Sequence, residues 1–160
     1  MIGSGGAGIR AAIELHDNNV DVLVVGKCKK RDAHTIMATG GINAALGNMD
    51  PQDSWQMHAA DTLRDGGYIN DTSAVITLCK NAPRDIKELV DWKVRFHREK
   101  NGKISQRFFG AAAYRRACFI GDHTGKEILD KLIDQAEKRK VRFASEVYIF
   151  SLLQNKGKVN

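Results

Sequence analysis

The chain has 160 residues, 42% hydrophobic and 28% charged, with a net charge of +6, which allows one core-bearing domain and excludes two large ones. No apolar run approaches the ~20 residues of a membrane-spanning helix, and no secretory signal is expected, because the N-terminus lacks a basic segment followed by an apolar one. Cys28, Cys79 and Cys118 show no C-x-x-C or Cys/His spacing, which argues against a disulfide framework or a metal site and fits a reducing compartment.

The first stretch reads MIGSGGAGIRAAIEL, in which Gly3, Gly5 and Gly8 have the G-x-G-x-x-G spacing of a dinucleotide-binding turn. In such a turn the first glycine permits the bend and the second lets the backbone approach a pyrophosphate. The third lets the following helix pack close to the sheet, with the phosphates at the helix N-terminus. A helix is expected from Ala7 to Asn18, with Ile9, Ala12, Ile13 and Leu15 on one face. VDVLVVG (20–26) then fits a buried parallel strand. Turn, helix and strand make the second half of a βαβ unit, and only Met1 and Ile2 remain to supply its first strand. The carboxylate that usually ends the second strand and bonds the ribose is replaced by Gly26-Lys27. Lys27 offers its charge to a phosphate instead.

Residues 27–50 read as a long ordered loop with a short helix around Ile42 to Leu46. Within RDAHTIMATGGINAALGNMDPQDSW (31–55), the small side chains and Gly40-Gly41 let backbone N–H groups reach a flat, polar-edged ligand. His34 reads either as part of that site or as an ordinary hydrogen-bonded loop histidine. Asp50-Pro51 predicts a helix to Asp65, stopped by Gly66-Gly67. Asp71 starts another through Asn81, and Pro83 starts or kinks a third with Ile86, Leu89, Val90 and Trp92 inward. VRFHRE and KISQRFF fit short strands around an Asn101-Gly102 turn.

Thr124 caps a predicted amphipathic helix that buries Ile128, Leu129, Leu132, Ile133 and Ala136. VRFASEVYIFSLLQ (141–154) follows as a strand, then a turn, then a returning strand from Lys158 to Asn160. Both ends of the chain are expected to be cut within strands. The alternation of helix and strand points to an α/β fold with a mainly parallel sheet. The basic clusters at 27–32, 95–103, 114–116 and 138–142 read as solvated surface, a nucleic-acid footprint or the wall of a cavity for an anionic cofactor. Charge alone does not choose.

GSGGAGIRAAIEL, RDAHTIMATGGINAALG, QRFFG at 106–110 and GDHTGKEIL at 121–129 occur in that order. Together they resemble the flavoprotein subunit of succinate dehydrogenase and fumarate reductase, of the FAD-dependent oxidoreductase 2 family, over essentially the whole chain. The resemblance implies a Rossmann-like α/β FAD-binding domain, of which residues 1–160 would be the N-terminal part. The start of the first strand, the capping domain and the C-terminal domain would then be absent.

FAD is the implied cofactor, with Gly3, Ser4, Gly5, Gly6, Ala7 and Gly8 on its pyrophosphate. Lys27, Ala33, His34, Thr35, Met37, Ala38, Thr39, Gly40 and Gly41 would wrap it, and Val147, Tyr148 and Ile149 would meet its adenine end. His34 falls on the family's histidine that bonds covalently to the flavin 8α-methyl carbon. A neutral imidazole is a competent nucleophile for that bond, and the tether would tune the flavin to take hydride from an unactivated alkane. Phe109 falls on a phenylalanine lining the dicarboxylate pocket; its other reading is an ordinary core aromatic. Thr39 stands where the family often has Gln, and QRFFGA replaces QRPFGG.

The implied reaction interconverts succinate and fumarate by hydride transfer to or from FAD. The arginine that shuttles the proton, and the clamp on the dicarboxylate, lie further along in the family. Arg115, Arg116 and His123 precede that region, so no catalytic residue is assigned. The chain alone is expected to be inactive and to hold FAD weakly. The implied partners are a membrane anchor subunit with an iron–sulfur subunit, placing the protein peripherally on the cytoplasmic side of the inner or cell membrane. An L-aspartate oxidase-like flavoprotein is the alternative, but as a rule it lacks the histidine at His34. A basic nucleic-acid-binding module is a distant third, because it leaves the glycine turn and the Gly-Gly loop unexplained.

Overall fold

The fold is that of a computed structural model describing residues 1–156 and the backbone of Lys158 and Val159. The elements are α1 (Gly6–Asp17), β1 (Leu23–Gly26), a 3-10 turn (His34–Met37), β2 (Ile42–Asn43), α2 (Trp55–Asp65) and α3 (Thr72–Asp91). There follow β3 (Gln106–Arg107), β4 (Ala117–Cys118), α4 (Thr124–Lys138), β5 (Arg142–Ser145), β6 (Gln154–Asn155) and β7 (Lys158–Val159). The chain divides into two compact units, one of Met1–Thr35 with Leu132–Asn160, the other of Ile36–Lys131.

The first unit holds the parallel sheet. β1 pairs with β5, Leu23 opposite Arg142 and Gly26 opposite Ser145. The other edge of β1 takes Met1–Gly3: the Met1 ammonium donates to the Leu23 carbonyl at 2.8 Å. Val25 N–H donates to Met1 at 2.9 Å, and Gly3 N–H to Val25 at 2.8 Å. Met1–Gly3 therefore acts as the launching strand, and the order Met1–Gly3, β1, β5 is that of a mononucleotide-binding half. α1 packs on β1, burying Ile9, Ala12 and Ile13, while β1 buries Val24.

Two strands are shorter than their sequences imply. Asn19 has a left-handed φ of 61°, and Val20 N–H bonds back to Leu15, so the helix exit consumes Val20–Val22 and the strand begins at Leu23. β5 stops at Ser145 because Glu146 turns with φ 62°. The expected strand through Gln154 is thus replaced by an irregular segment from 147 to 153. β6 and β7 pair antiparallel, as the expected returning strand requires; Gly157 and Asn160 lie outside the described residues.

In the second unit β2, β4 and β3 form an antiparallel sheet in that order. The helix expected over Ile42–Leu46 does not form. Gly41 has φ +120°, and a Cβ there would come within 2.7 Å of the Cys118 carbonyl oxygen, so the chain is drawn flat against β4. Gln106 Nε2 then donates to the Ala44 carbonyl at 2.7 Å.

The helix expected from Pro51 begins instead at Trp55, where Ser54 Oγ accepts from Met57 N–H at 3.3 Å. Asp50 is unavailable as a cap because its carboxylate binds Arg115, N–H at 2.7 Å and Nη2 at 2.6 Å. The two helices expected around Pro83 are one, α3, with the proline inside it. Its stripe of Val75, Cys79, Ala82, Ile86 and Leu89 is buried, and that burial offsets the lost hydrogen bond. α2 packs on α3. The expected turn at Asn101-Gly102 is present, with Arg98 bridging Ile104, but Gln106-Arg107 leaves that hairpin to pair with β4.

A buried ion network ties this unit together. Arg116, 1% exposed, donates from Nη1 to Asp61 and from Nη2 to Asp53, each at 2.8 Å. Asp61 also accepts from Ala113 N–H at 2.9 Å and Arg64 Nη2 at 2.8 Å. Burial alone would raise the Asp61 pKa, but the bonds from Ala113 and Arg116 outweigh it and hold the carboxyl below its ordinary range. His58 is buried and, among the described residues, its Nδ1 has no hydrogen-bond partner; burial, reinforced by Arg116, holds its pKa below the ordinary 6.5.

Arg116→Met should cost about 3–5 kcal/mol, because it strands two carboxylates; a shift in the denaturant midpoint measures this. The folded His58 resists protonation, so the unfolded state binds the extra proton as pH falls below about 6.5. Stability is therefore lost on acidification, and the depressed Asp61 extends the loss below about pH 4. His58→Gln should flatten the upper part of that profile; an unchanged slope between pH 7 and pH 5 would refute the assignment.

Candidate functional site

The first unit places the glycine turn against the end of β1. Gly3 takes φ +107°, and a Cβ on Gly8 would overlap the Gly3 carbonyl oxygen. A Cβ on Gly26 would overlap the buried Ser4 side chain. Gly5 is the N-cap of α1 and lends it no side-chain bond. Thr35, 29 residues on, accepts from Gly6 N–H through Oγ1 at 2.9 Å. The first turn of α1 carries no acidic side chain, leaving its positive end to an anion.

A cavity of about 300 Å³ opens here, the size of a small ligand pocket. Its walls bring together the expected Gly3, Ser4, Gly5, Lys27, Ala33, His34, Thr35, Val147, Tyr148 and Ile149. Gly6, Ala7 and Gly8 form the first turn of α1 and do not line it. Ile2, Val25 and Cys28 also line it; Ile2 and Cys28 adjoin expected positions and Val25 lies two residues before Lys27, which was the only signal the sequence carried for them.

Lys27 is the only lysine or arginine of this lining. Part of the remaining basic residues is turned to structural use. Lys30 Nζ pairs with Glu137 at 2.8 Å and Arg31 with Asp134 at 3.0 Å, both on α4. Arg139 pairs with Asp17 at 2.7 Å and Arg142 with Asp21 at 2.8 Å. These contacts engage Lys30, Arg31, Arg139 and Arg142 of the 27–32 and 138–142 clusters. His34 is exposed where it lines the cavity.

The remaining expected residues belong to the second unit. Met37 is exposed, and the Ala38 carbonyl accepts from Gly125 N–H at 2.7 Å at the start of α4. The Gly40 carbonyl accepts from Arg107 Nη2 at 2.9 Å. A Cβ on Gly40 would overlap the tip of the Phe109 ring. Phe109 is 55% exposed, so it is no core aromatic here. Arg115 and Arg116 are engaged with Asp50, Asp53 and Asp61, and His123 pairs with Asp122 at 2.9 Å on the surface. Among the described residues no helix is long and apolar enough to cross a membrane.

Residues 1–160 match the family model of an FAD binding domain. A fumarate reductase (CoM/CoB) polypeptide of Methanothermobacter marburgensis is 41% identical across 99% of this chain and 29% of its own length. The succinate dehydrogenase flavoprotein subunit of Rickettsia bellii is 39% identical across 98% of this chain and 28% of its own. The solved Mycobacterium smegmatis Sdh1 complex in the apo form matches with a TM-score of 0.92 at 39% identity, over 99% of this chain and 29% of that one. The chain thus spans under a third of the length of these relatives. The resemblance carried by the four motifs and the Rossmann-like α/β fold is borne out by these matches. This chain belongs to the FAD binding domain family, with flavoprotein subunits of succinate dehydrogenase and fumarate reductase among its relatives.

Proposed function

We propose that this chain is the N-terminal FAD-binding part of a flavoprotein that interconverts succinate and fumarate. The observation that carries the reading is the convergence of the glycine turn, Lys27, His34, Thr35 and residues 147–149 on one cavity at the positive end of α1. The residues fit the cofactor. Close approaches at Gly8 and Gly26 leave no room for a side chain in the turn, and the start of α1 offers backbone N–H groups to a pyrophosphate. Lys27 offsets its charge, and Val147 and Ile149 supply apolar walls for an adenine. His34 presents an imidazole for covalent attachment to the flavin 8α-methyl carbon. When bound, FAD supplies the hydride chemistry that amino-acid side chains lack.

In the second unit, Phe109 is the residue proposed to face the dicarboxylate, and Met37 to Gly41 are proposed as further FAD-binding residues. The proton shuttle and the clamp on the substrate carboxylates are proposed to lie in the length that the relatives carry beyond this match. The proposed partners are a membrane anchor and an iron–sulfur subunit, with the protein peripheral on the cytoplasmic side of the membrane.

The full-length protein should retain its flavin through acid precipitation, and His34→Ala should release it and lower succinate oxidation. Acid-released flavin in the unsubstituted protein would favour the L-aspartate oxidase-like reading. The 160-residue chain alone should reduce no dichlorophenolindophenol with succinate; turnover would refute the division of labour proposed here. Gly8→Ala forces strain of about 1–3 kcal/mol into the turn, and FAD affinity, read by titration, should fall about tenfold or more.

A further inference from the structure

Arg107 has no part in the roles above, yet three segments meet on it. It ends β3, two residues before Phe109. Its Nη2 donates to the Gly40 carbonyl at 2.9 Å and lies 3.4 Å from the Thr39 and 3.5 Å from the Gly121 carbonyl oxygen. The guanidinium carbon sits 4.3 Å from the centroid of the Phe119 ring. Among the described residues its partners are carbonyl oxygens and a ring. Its Nε is buried without a hydrogen-bond partner, a desolvation cost that a purely structural contact does not need.

Gly40 is held from both sides. Arg107 fixes its carbonyl, and the tip of the Phe109 ring rests where a Cβ would be. An aromatic side chain that is 55% exposed has little core burial to choose its rotamer. Its seat is therefore the Gly40 backbone, and that seat is fixed by the guanidinium. A lysine keeps the charge but loses the planar fork that reaches a carbonyl while stacking on Phe119.

We propose that Arg107 is a positioning residue for the dicarboxylate site, locking the Thr39–Gly41 turn so that Phe109 keeps one seat. This rests on the reading of Phe109 given above. A site residue held in a single orientation spares the substrate the cost of ordering it.

The test uses the full-length protein with its FAD. Arg107→Gln should raise the KM for succinate about tenfold while kcat falls less than about threefold, with flavin content unchanged. Arg107→Lys should recover part of the loss. Gly40→Ala, which displaces the ring directly, should raise KM similarly, and the double variant should be no worse than either single one. A lowered melting temperature with unchanged KM would overturn the proposal, as would full rescue by lysine or additivity in the double variant. If the unsubstituted protein turns over neither succinate nor fumarate, the functional reading fails separately. The Phe109 rotamer in a crystal structure of Arg107→Gln, or of Arg107→Lys should the former not fold, then decides: a ring still seated on Gly40 overturns the positioning role.

Discussion

The first unit depends on two approaches to glycine backbone that a Cβ would close off. Gly8 meets the Gly3 carbonyl, and Gly26 meets Ser4, at separations where a single methyl group has no room. These two exclusions fix where α1 starts relative to the end of β1. They therefore fix where the helix N–H groups point. Thr35 then satisfies one of those groups from a distant part of the chain, which joins the histidine loop to the turn. The positive end of the helix, the lysine at the strand end and the imidazole in the loop share one cavity because these contacts leave the backbone little alternative.

The second unit solves a different problem by opposite means. Its Gly-Gly turn, the β4 strand and the start of α2 are held by charge. Arg115 takes the carboxylate that looked like a helix cap, and Arg116 sits at the centre of buried Asp53 and Asp61. Replacing such a network with apolar groups is often neutral or stabilising, whereas removing one member is not. The arrangement thus trades tolerance to substitution for a defined geometry of the loops around it.

What the sequence disclosed follows from how local each signal is. α1 and α4 were legible because their apolar residues repeat at helical spacing, although Thr124 is the first residue of α4 and its hydroxyl accepts from Ile120 N–H instead of capping the helix. The turn at Asn101-Gly102 was legible because it is set by two adjacent residues. The stretch Ile42–Leu46 misled because its apolar residues satisfy either period, and the choice was made by Cys118 and Gln106, more than sixty residues away. Pro83 misled because a rule about one hydrogen bond was outweighed by a buried stripe running the length of the helix. In the site, the motif residues announced themselves through unusual small side chains. Ile2, Val25 and Cys28 did not, since their identities suit any strand end. Arg107 was visible only as a letter in a motif, because its role lies in which carbonyls it reaches.

The left-handed turn at Glu146 carries a consequence beyond ending β5 early. Along a strand, neighbouring side chains face opposite sides of the sheet, so Val147, Tyr148 and Ile149 could not all line one cavity had the strand continued. The break frees three consecutive residues to face the same space. It also uncouples them from the sheet's two-residue rhythm. Inserting or deleting a residue within Arg142–Ser145 would invert every following side chain of the strand. Glu146 and Val147 still donate N–H bonds to the Cys28 and Gly26 carbonyls, so a change of length falls on the cavity wall rather than on these ties only at Tyr148 and Ile149.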